Sequence, residues 1–292
     1  IIDSVQTLAS ADVDGAPGGV AQVREVAAAI IRTAKDHAIP TVLVGHVTKD
    51  GTVAGPRTLE HLVDVVCTFE GDRHSRLRML RAIKNRYGPT DEVGCFDMTE
   101  AGIQSLPDPS GLFLTRSATR APGSCLTVAL EGRRPMLVEI QSLVAKAHGN
   151  PRRTVSGLDS SRIAMVLAVI ATAAPTADAD FFAATVGGMR VSEPASDLAV
   201  ALSVASAVHG APLYSRLIAV GEISLSGEIR QVPGLGQRLS EAARQGITNA
   251  VVAEGALENV TVPDGMRVAQ CETLLDAVRT VLPDVQLPAA KG

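Results

Sequence analysis

Asp3 directly follows the apolar pair Ile1-Ile2. A carboxylate at the C-terminal end of a buried strand is placed to orient the magnesium ion of a nucleotide, although many strands end in Asp with no such role. The segment Gly45-His46-Val47-Thr48-Lys49-Asp50-Gly51 puts polar groups just past a second apolar run, Thr41 to Val44. That is where α/β folds bind ligands, and an ordinary polar turn has the same composition. Lys84-Asn85-Arg86-Tyr87-Gly88 is the sharpest pattern of the three. Two cations flank an amide and a glycine ends the run, which suits phosphate oxygens; as a bare pattern it also describes a solvated turn. Pro17-Gly18-Gly19-Val20, continued by Gln22-Val23-Arg24-Glu25, is either a loop beside a ligand or the capped start of a surface helix.

These groups need a frame, and the spacing of apolar residues supplies one. Ile1 and Ile2 look like the last part of a strand whose beginning lies outside the chain, so the sequence reads as a piece of a longer protein. A Gly/Pro-rich loop from Gly15 to Gly19 precedes helical spacing over Val20 to His37. Strands are expected at Thr41 to Val44, Val65 to Phe69, Leu77 to Ile83 and Cys95 to Met98. Helices alternating with buried strands define an α/β class. The polar stretch HGNPRRT, His148 to Thr154, breaks this pattern. It places a linker at 149–155 between domains at 1–148 and 156–292. Beyond it, helices are expected at Ser161 to Ala173, Ala195 to Val208, Gln237 to Gln245 and Glu272 to Val281, and strands at Arg216 to Ile223 and Asn249 to Ala253.

A chain of 292 residues has room for two cores. Hydrophobic residues make up 46% of it, yet no window approaches the roughly 18 uncharged apolar residues of a membrane span, and no export signal opens it. A cytoplasmic location follows as the expectation. The net charge of −4 argues against a wholesale electropositive DNA coater, and 2% aromatics with no Trp argue against a ring-stacking platform for single strands. Cys67, Cys95, Cys125 and Cys271 are far apart and form no C-x-x-C pair. They read as reduced thiols, mostly buried, not as a zinc site or a disulfide framework.

Taken in order, these segments resemble the bacterial RadA/Sms proteins, RecA-like DNA-repair ATPases, over essentially the whole chain. The matching pieces are IIDSVQTL, the PGG-VAQVRE loop, GHVTKDG with AGPRTLEHLVD, KNRYG with TDEVGCFDM, RRPMLVEIQ and PRRTVSGLD. The resemblance implies a C-terminal part of a RecA-like ATPase core followed by a Lon-protease-like α/β domain. It also implies a hexameric motor that uses ATP and Mg2+ on single-stranded and branched DNA, with a RecA-type recombinase as a candidate partner. By that analogy Asp3 is the Walker B acid, His46 and Lys49 lie in a nucleotide-sensing switch, and Lys84 and Arg86 reach a neighbouring subunit's ATP. Tyr87 replaces the commoner Phe of that motif and keeps the ring. The family's zinc module and its phosphate loop, G-x-x-x-x-G-K followed by Ser or Thr, are expected upstream of Ile1; no such loop occurs in these residues. Without its backbone N–H groups and lysine, tight ATP binding by this chain alone is not expected.

In the second half, Gly221-Glu222-Ile223-Ser224-Leu225-Ser226-Gly227-Glu228-Ile229-Arg230, continued by Val232-Pro233-Gly234-Leu235, resembles the proteolytic domain of Lon, as does Glu193-Pro194-Ala195-Ser196-Asp197. Active Lon enzymes use a serine nucleophile and a lysine base, and the lysine must sit beside the serine with a depressed pKa. Ala195 stands at the serine's position and Gly236 at the lysine's. Ser196 is a helix-start hydroxyl with no base to activate it, since no lysine occurs between Pro151 and Ala290 and the nearby histidine, His209, ends a helix. A domain that keeps the fold without the pair serves as an assembly or binding surface. Arg152, Arg153, Arg162, Arg190, Arg230 and Arg238, with Arg24 from the first half, form a DNA-facing patch or a scatter of solvated cations. Three functions therefore compete: an ATP-dependent DNA motor with a scaffolding domain, a Lon-type serine-lysine peptidase, and a non-catalytic oligomerisation and DNA-binding module.

Overall fold

A computed structural model of the chain describes residues 1–45, 59–71, 76–109, 111, 113–114, 121–171 and 173–285. They form two compact units, residues 1–70 with 80–92, and residues 71–79 with 93–292. The class is α/β in both, as the alternation of periods requires.

The first unit carries β1 (Ile2–Asp3), α1 (Val20–Asp36), β2 (Leu43–Val44), β3 (Val65–Glu70) and most of β4 (Leu77–Asn85). β1 and β2 are parallel, with Asp3 opposite Val44, so the two strands end side by side. α1 matches the helix expected at Val20 to His37. Val23, Val26, Ala27 and Ile30, at spacings of three and four, form its inward stripe against Val5, Leu43, Leu59 and Leu62. Gln22 on the same helix is buried and ties down the preceding loop. Its Nε2 donates to Ser10 O and Val13 O, and its Oε1 accepts from Ser10 N at 2.8 Å.

The second unit opens with the antiparallel hairpin of β5 (Val93–Thr99) and β6 (Gly102–Ser105). There follow β7 (Ser124–Glu131), β8 (Arg134–Lys146), β9 (Arg153–Ser156), α2 (Ser160–Ile170), β10 (Ala179–Thr185) and α3 (Asp197–His209). The chain continues through β11 (Leu217–Val220), β12 (Glu222–Ile223), β13 (Ile229–Arg230), α4 (Leu235–Arg244), β14 (Asn249–Ala253), β15 (Arg267–Cys271) and α5 (Leu274–Val281). Seven strands make one sheet in the order β15-β14-β11-β7-β8-β10-β9. β8 runs antiparallel to β7 and β10, whereas β9 is parallel to β10, and β7, β11, β14 and β15 are parallel to one another.

α3 lies in the core, with every residue from Asp197 to Ser206 buried. Its hydroxyls are satisfied: Ser203 Oγ donates to Val200 O at 2.7 Å, and Ser206 Oγ donates to Ala211 O and accepts from Gly123 N at 2.9 Å. Gly123 has φ +89°, and a Cβ there would stand 2.2 Å from Ser142 O, so this entry to β7 requires glycine.

Three expectations shift. The boundary at 149–155 is corrected, because β7 and β8, both before it, sit in the middle of the sheet whose other strands follow it, and Arg153–Ser156 is itself a strand. The run Arg216 to Ile223 is two strands, broken at Gly221, where a Cβ would meet Ile229 Cγ2 at 2.7 Å. The last helix starts at Leu274, not Glu272. Thr273 Oγ1 accepts from Asp276 N to cap it, and the residues before it form β15.

Candidate functional site

Asp3 is exposed at the C-terminal end of β1, beside the end of β2, and Gly45 follows β2. In α/β folds ligands bind outside the carboxyl ends of parallel strands, which is where Asp3 stands. His46 and Lys49, expected just beyond, lie outside the described residues.

Lys84 lies near the end of β4 and Arg86 in the turn that follows it. Both bind the stretch 60–64. Lys84 Nζ donates to Glu60 O at 2.8 Å and Val63 O at 2.9 Å, satisfying carbonyls at the end of a helical turn. Arg86 donates through its backbone N–H to Asp64 O at 3.0 Å and through Nη1 to Asp64 Oδ1 at 3.2 Å. The Arg86 side chain is still 68% exposed. The bare-turn alternative thus gains detail: a glycine-ended turn, with Tyr87 N donating to Asn85 Oδ1 at 3.1 Å, presents a ring that is 77% exposed. Sequence reasoning missed Asp64, whose signal was available only as an acid closing the matched segment AGPRTLEHLVD.

In the second unit, neither Ala195 nor Gly236, the two positions compared with the Lon pair, carries a reactive group. Ala195 is 2% exposed in the tight turn Pro194–Ser196, and its carbonyl accepts from Gly221 N at 3.0 Å. The Ser196 hydroxyl donates to Glu193 O at 2.9 Å, which is a turn-closing bond. Gly236 is in the first turn of α4; a Cβ there would touch only Val260, at 3.8 Å. His209 Nε2 is 2.8 Å from Ala173 O.

What joins these two places is an ion pair. Glu193 lies two residues before Ala195 and Arg238 two residues after Gly236. The Arg238 guanidinium forks onto the Glu193 carboxylate, Nη1 to Oε1 and Nη2 to Oε2 at 2.7 Å each, and donates further to Val128 O and, at 3.1 Å, to Pro233 O. Glu193 Oε1 also accepts from Leu130 N at 2.8 Å. A second pair sits at the head of α3: Arg162 Nε donates to Asp197 Oδ1 at 3.1 Å, while Ile223 N donates to Asp197 Oδ2 at 3.2 Å. Burial pushes the Asp197 carboxyl above its ordinary value, against the opposing pull of Arg162.

The expected arginine patch is corrected accordingly. Arg238 is 1% exposed and belongs to the core, where the bidentate carboxylate and two carbonyls compensate its charge. Arg162 is committed to Asp197 and Glu222. Arg152, Arg153, Arg190 and Arg230 remain exposed, as does Arg24 in the first unit. Arg152 and Arg153 stand at the start of β9, the edge strand of the seven-stranded sheet. Arg230 lies 3.7 Å from Glu228, which offsets part of its charge.

Residues 185–256, the window holding Ala195, Glu193, Gly236 and Arg238, match a family model described as subunit ChlI of Mg-chelatase. The whole chain is similar to bacterial DNA repair proteins. It is 50% identical to the DNA repair protein RadA of Mycolicibacterium smegmatis over 287 residues, which cover 96% of this chain and 61% of that protein. It is 49% identical to RadA of Mycobacterium tuberculosis, over 96% of this chain and 58% of that protein, and 41% identical to RadA of Bacillus subtilis, over 97% and 62%. Along this stretch the chain is similar to RadA proteins, and it spans about three-fifths of the length of the curated relatives it matches. No helix among the described residues is long and apolar enough to cross a membrane.

Proposed function

We propose that the chain works as part of an ATP-driven motor in DNA repair and recombination, acting on single-stranded and branched DNA. The observation that carries this reading is the near-continuous similarity to DNA repair protein RadA, 50% identity over 96% of the chain. In this reading the first unit is the C-terminal part of a RecA-like core and the second is a Lon-protease-like domain that assembles and binds without cutting. Copies of the chain form a hexameric ring, and a RecA-type recombinase is a partner at the DNA.

The residues present fit a nucleotide's magnesium ion, because the exposed Asp3 carboxylate closes a strand at the mouth of a parallel pair. A bound Mg2+ neutralises charge on phosphate oxygens. Asp3 would hold that ion through its carboxylate. Lys84 and Arg86 stabilise charge developing on the phosphoryl group of a neighbouring copy, and the planar guanidinium suits its oxygens. Cys67, Cys95, Cys125 and Cys271 are separate free thiols, so these residues do not fit the zinc module implied by the resemblance.

The peptidase reading is opposed by two side chains: Ala195 supplies no nucleophile and Gly236 no base. The test of the motor reading is ATP hydrolysis, with and without DNA, by the whole protein and by this chain of 292 residues. The whole protein turns over and responds to DNA; the chain, which has no phosphate loop, does not. Motor-rate hydrolysis by the chain alone, abolished by Asp3→Ala, would contradict the division of labour.

A further inference from the structure

Asp64 is the acid on which Arg86 rests. It ends the stretch 60–64 that receives both cations, Lys84 through the carbonyls of Glu60 and Val63, and Arg86 through the Asp64 carbonyl and carboxylate. The Arg86 side chain is 68% exposed and that of Asp64 31%, so the pair lies where an incoming subunit can reach it. An exposed pair of this kind contributes little to folding. Its effect is on the direction of the guanidinium: a free arginine samples many rotamers, and one fixed bond removes most of them. Only one of the five N–H donors of that group is bonded to Asp64 Oδ1, which leaves the rest of the planar fork for phosphate oxygens.

We propose that Asp64 is a positioning residue that holds Arg86 in the orientation from which it meets a phosphoryl group of the neighbouring copy. This rests on the reading of Arg86 given above. The Asp64 carboxyl is held below its ordinary value, chiefly by the hydrogen bond from Arg86 and with help from the charge of Lys35 and the Tyr87 hydroxyl, although burial works the other way. The carboxylate is therefore charged, and available to Arg86, throughout the neutral range.

Two measurements test this separately. In the first, nitrogen NMR follows the Arg86 side-chain N–H signal, assigned through Arg86→Lys. Rotation of the guanidinium is slow in the unmodified chain and becomes fast in Asp64→Asn, an isosteric change that keeps the fold; equal rotation in both overturns the proposal. In the second, DNA-stimulated ATP hydrolysis is measured for the whole protein. Asp64→Ala lowers kcat about fivefold with KM for ATP unchanged, as expected of a modest exposed pair, and Asp64→Glu restores most of the loss. In an Arg86→Ala background the same Asp64 change has no further effect, because what it positions is gone. An undiminished loss in that background, or an effect on KM alone, overturns the proposal. Normal turnover by Arg86→Ala would instead sink the reading of Arg86 itself, and the positioning of its side chain would then stand or fall on the NMR result.

Discussion

Arg238 shows how one residue type takes opposite fates. Its charge is buried because a bidentate carboxylate and two carbonyls surround it, and without the guanidinium the Glu193 carboxylate would keep only the bond from Leu130 N. Arg238→Ala and Glu193→Ala are each expected to lower unfolding free energy by about 3–5 kcal/mol, whereas a joint replacement by apolar residues of similar volume costs much less. Urea unfolding of the three variants checks this, and equal losses in all three would show that the pair is not the unit. The sequence could not separate Arg238 from Arg230, since both are lone arginines among mixed neighbours; only the partner of Arg238, 45 residues away in the chain, distinguishes them. That Ala195 offers no nucleophile and Gly236 no base needs no geometry to read.

At the same scale Asp64 gives a pH prediction. Its folded pKa lies below the ordinary 3.8, with the Arg86 hydrogen bond as the largest cause. A depressed carboxylate pKa contributes stability that is fully present above the unfolded value and is lost as pH falls through the folded one. In Arg86→Ala, carboxyl titration by NMR should move Asp64 upward toward 3.8, its ordinary value. An unmoved titration would mean that Arg86 is not its main partner.

Among the elements, α1 was legible because its stripe of Val23, Val26, Ala27 and Ile30 alternates with polar residues. α3 was legible from its run of small and apolar residues despite being buried almost all round. The strands β7, β8, β9 and β10 were not. β7 and β8 are buried on both faces along much of their length, which removes the alternation that marks a half-exposed strand. β9 reads Arg-Thr-Val-Ser, a polar edge that local pattern cannot tell from a linker. Missing these strands is what moved the expected boundary.

The residue before the turn holding Ala195 and the helix holding Gly236 are tied through Glu193 and Arg238. The whole protein should leave casein and fluorogenic peptides intact with or without ATP, and a serine-directed phosphonate should leave Ser196 unlabelled, its hydroxyl being engaged with Glu193 O. Stoichiometric labelling of Ser196 together with casein cleavage would refute this.

Across the whole molecule the net charge is −4, so any binding to DNA would have to come from local cations. In the second unit Arg152 and Arg153 at the sheet edge are the adjacent exposed pair. If they touch phosphates, replacing both with Ala should flatten the dependence of log Kobs on log salt by roughly 0.9 for each duplex phosphate that is no longer neutralised. An unchanged slope would return both to solvent.

At this scale too belongs the proposal that Arg86 acts on a nucleotide held by another copy of the protein in an ATP-driven motor, on which the rest of the functional reading depends. DNA-stimulated ATP hydrolysis by the whole protein carrying Arg86→Ala, with ATP binding measured alongside, tests it. Loss of a cation that stabilises the transition-state charge predicts a fall in kcat on the order of 10³-fold, with nucleotide affinity nearly unchanged. Turnover equal to that of the unmodified protein would contradict it.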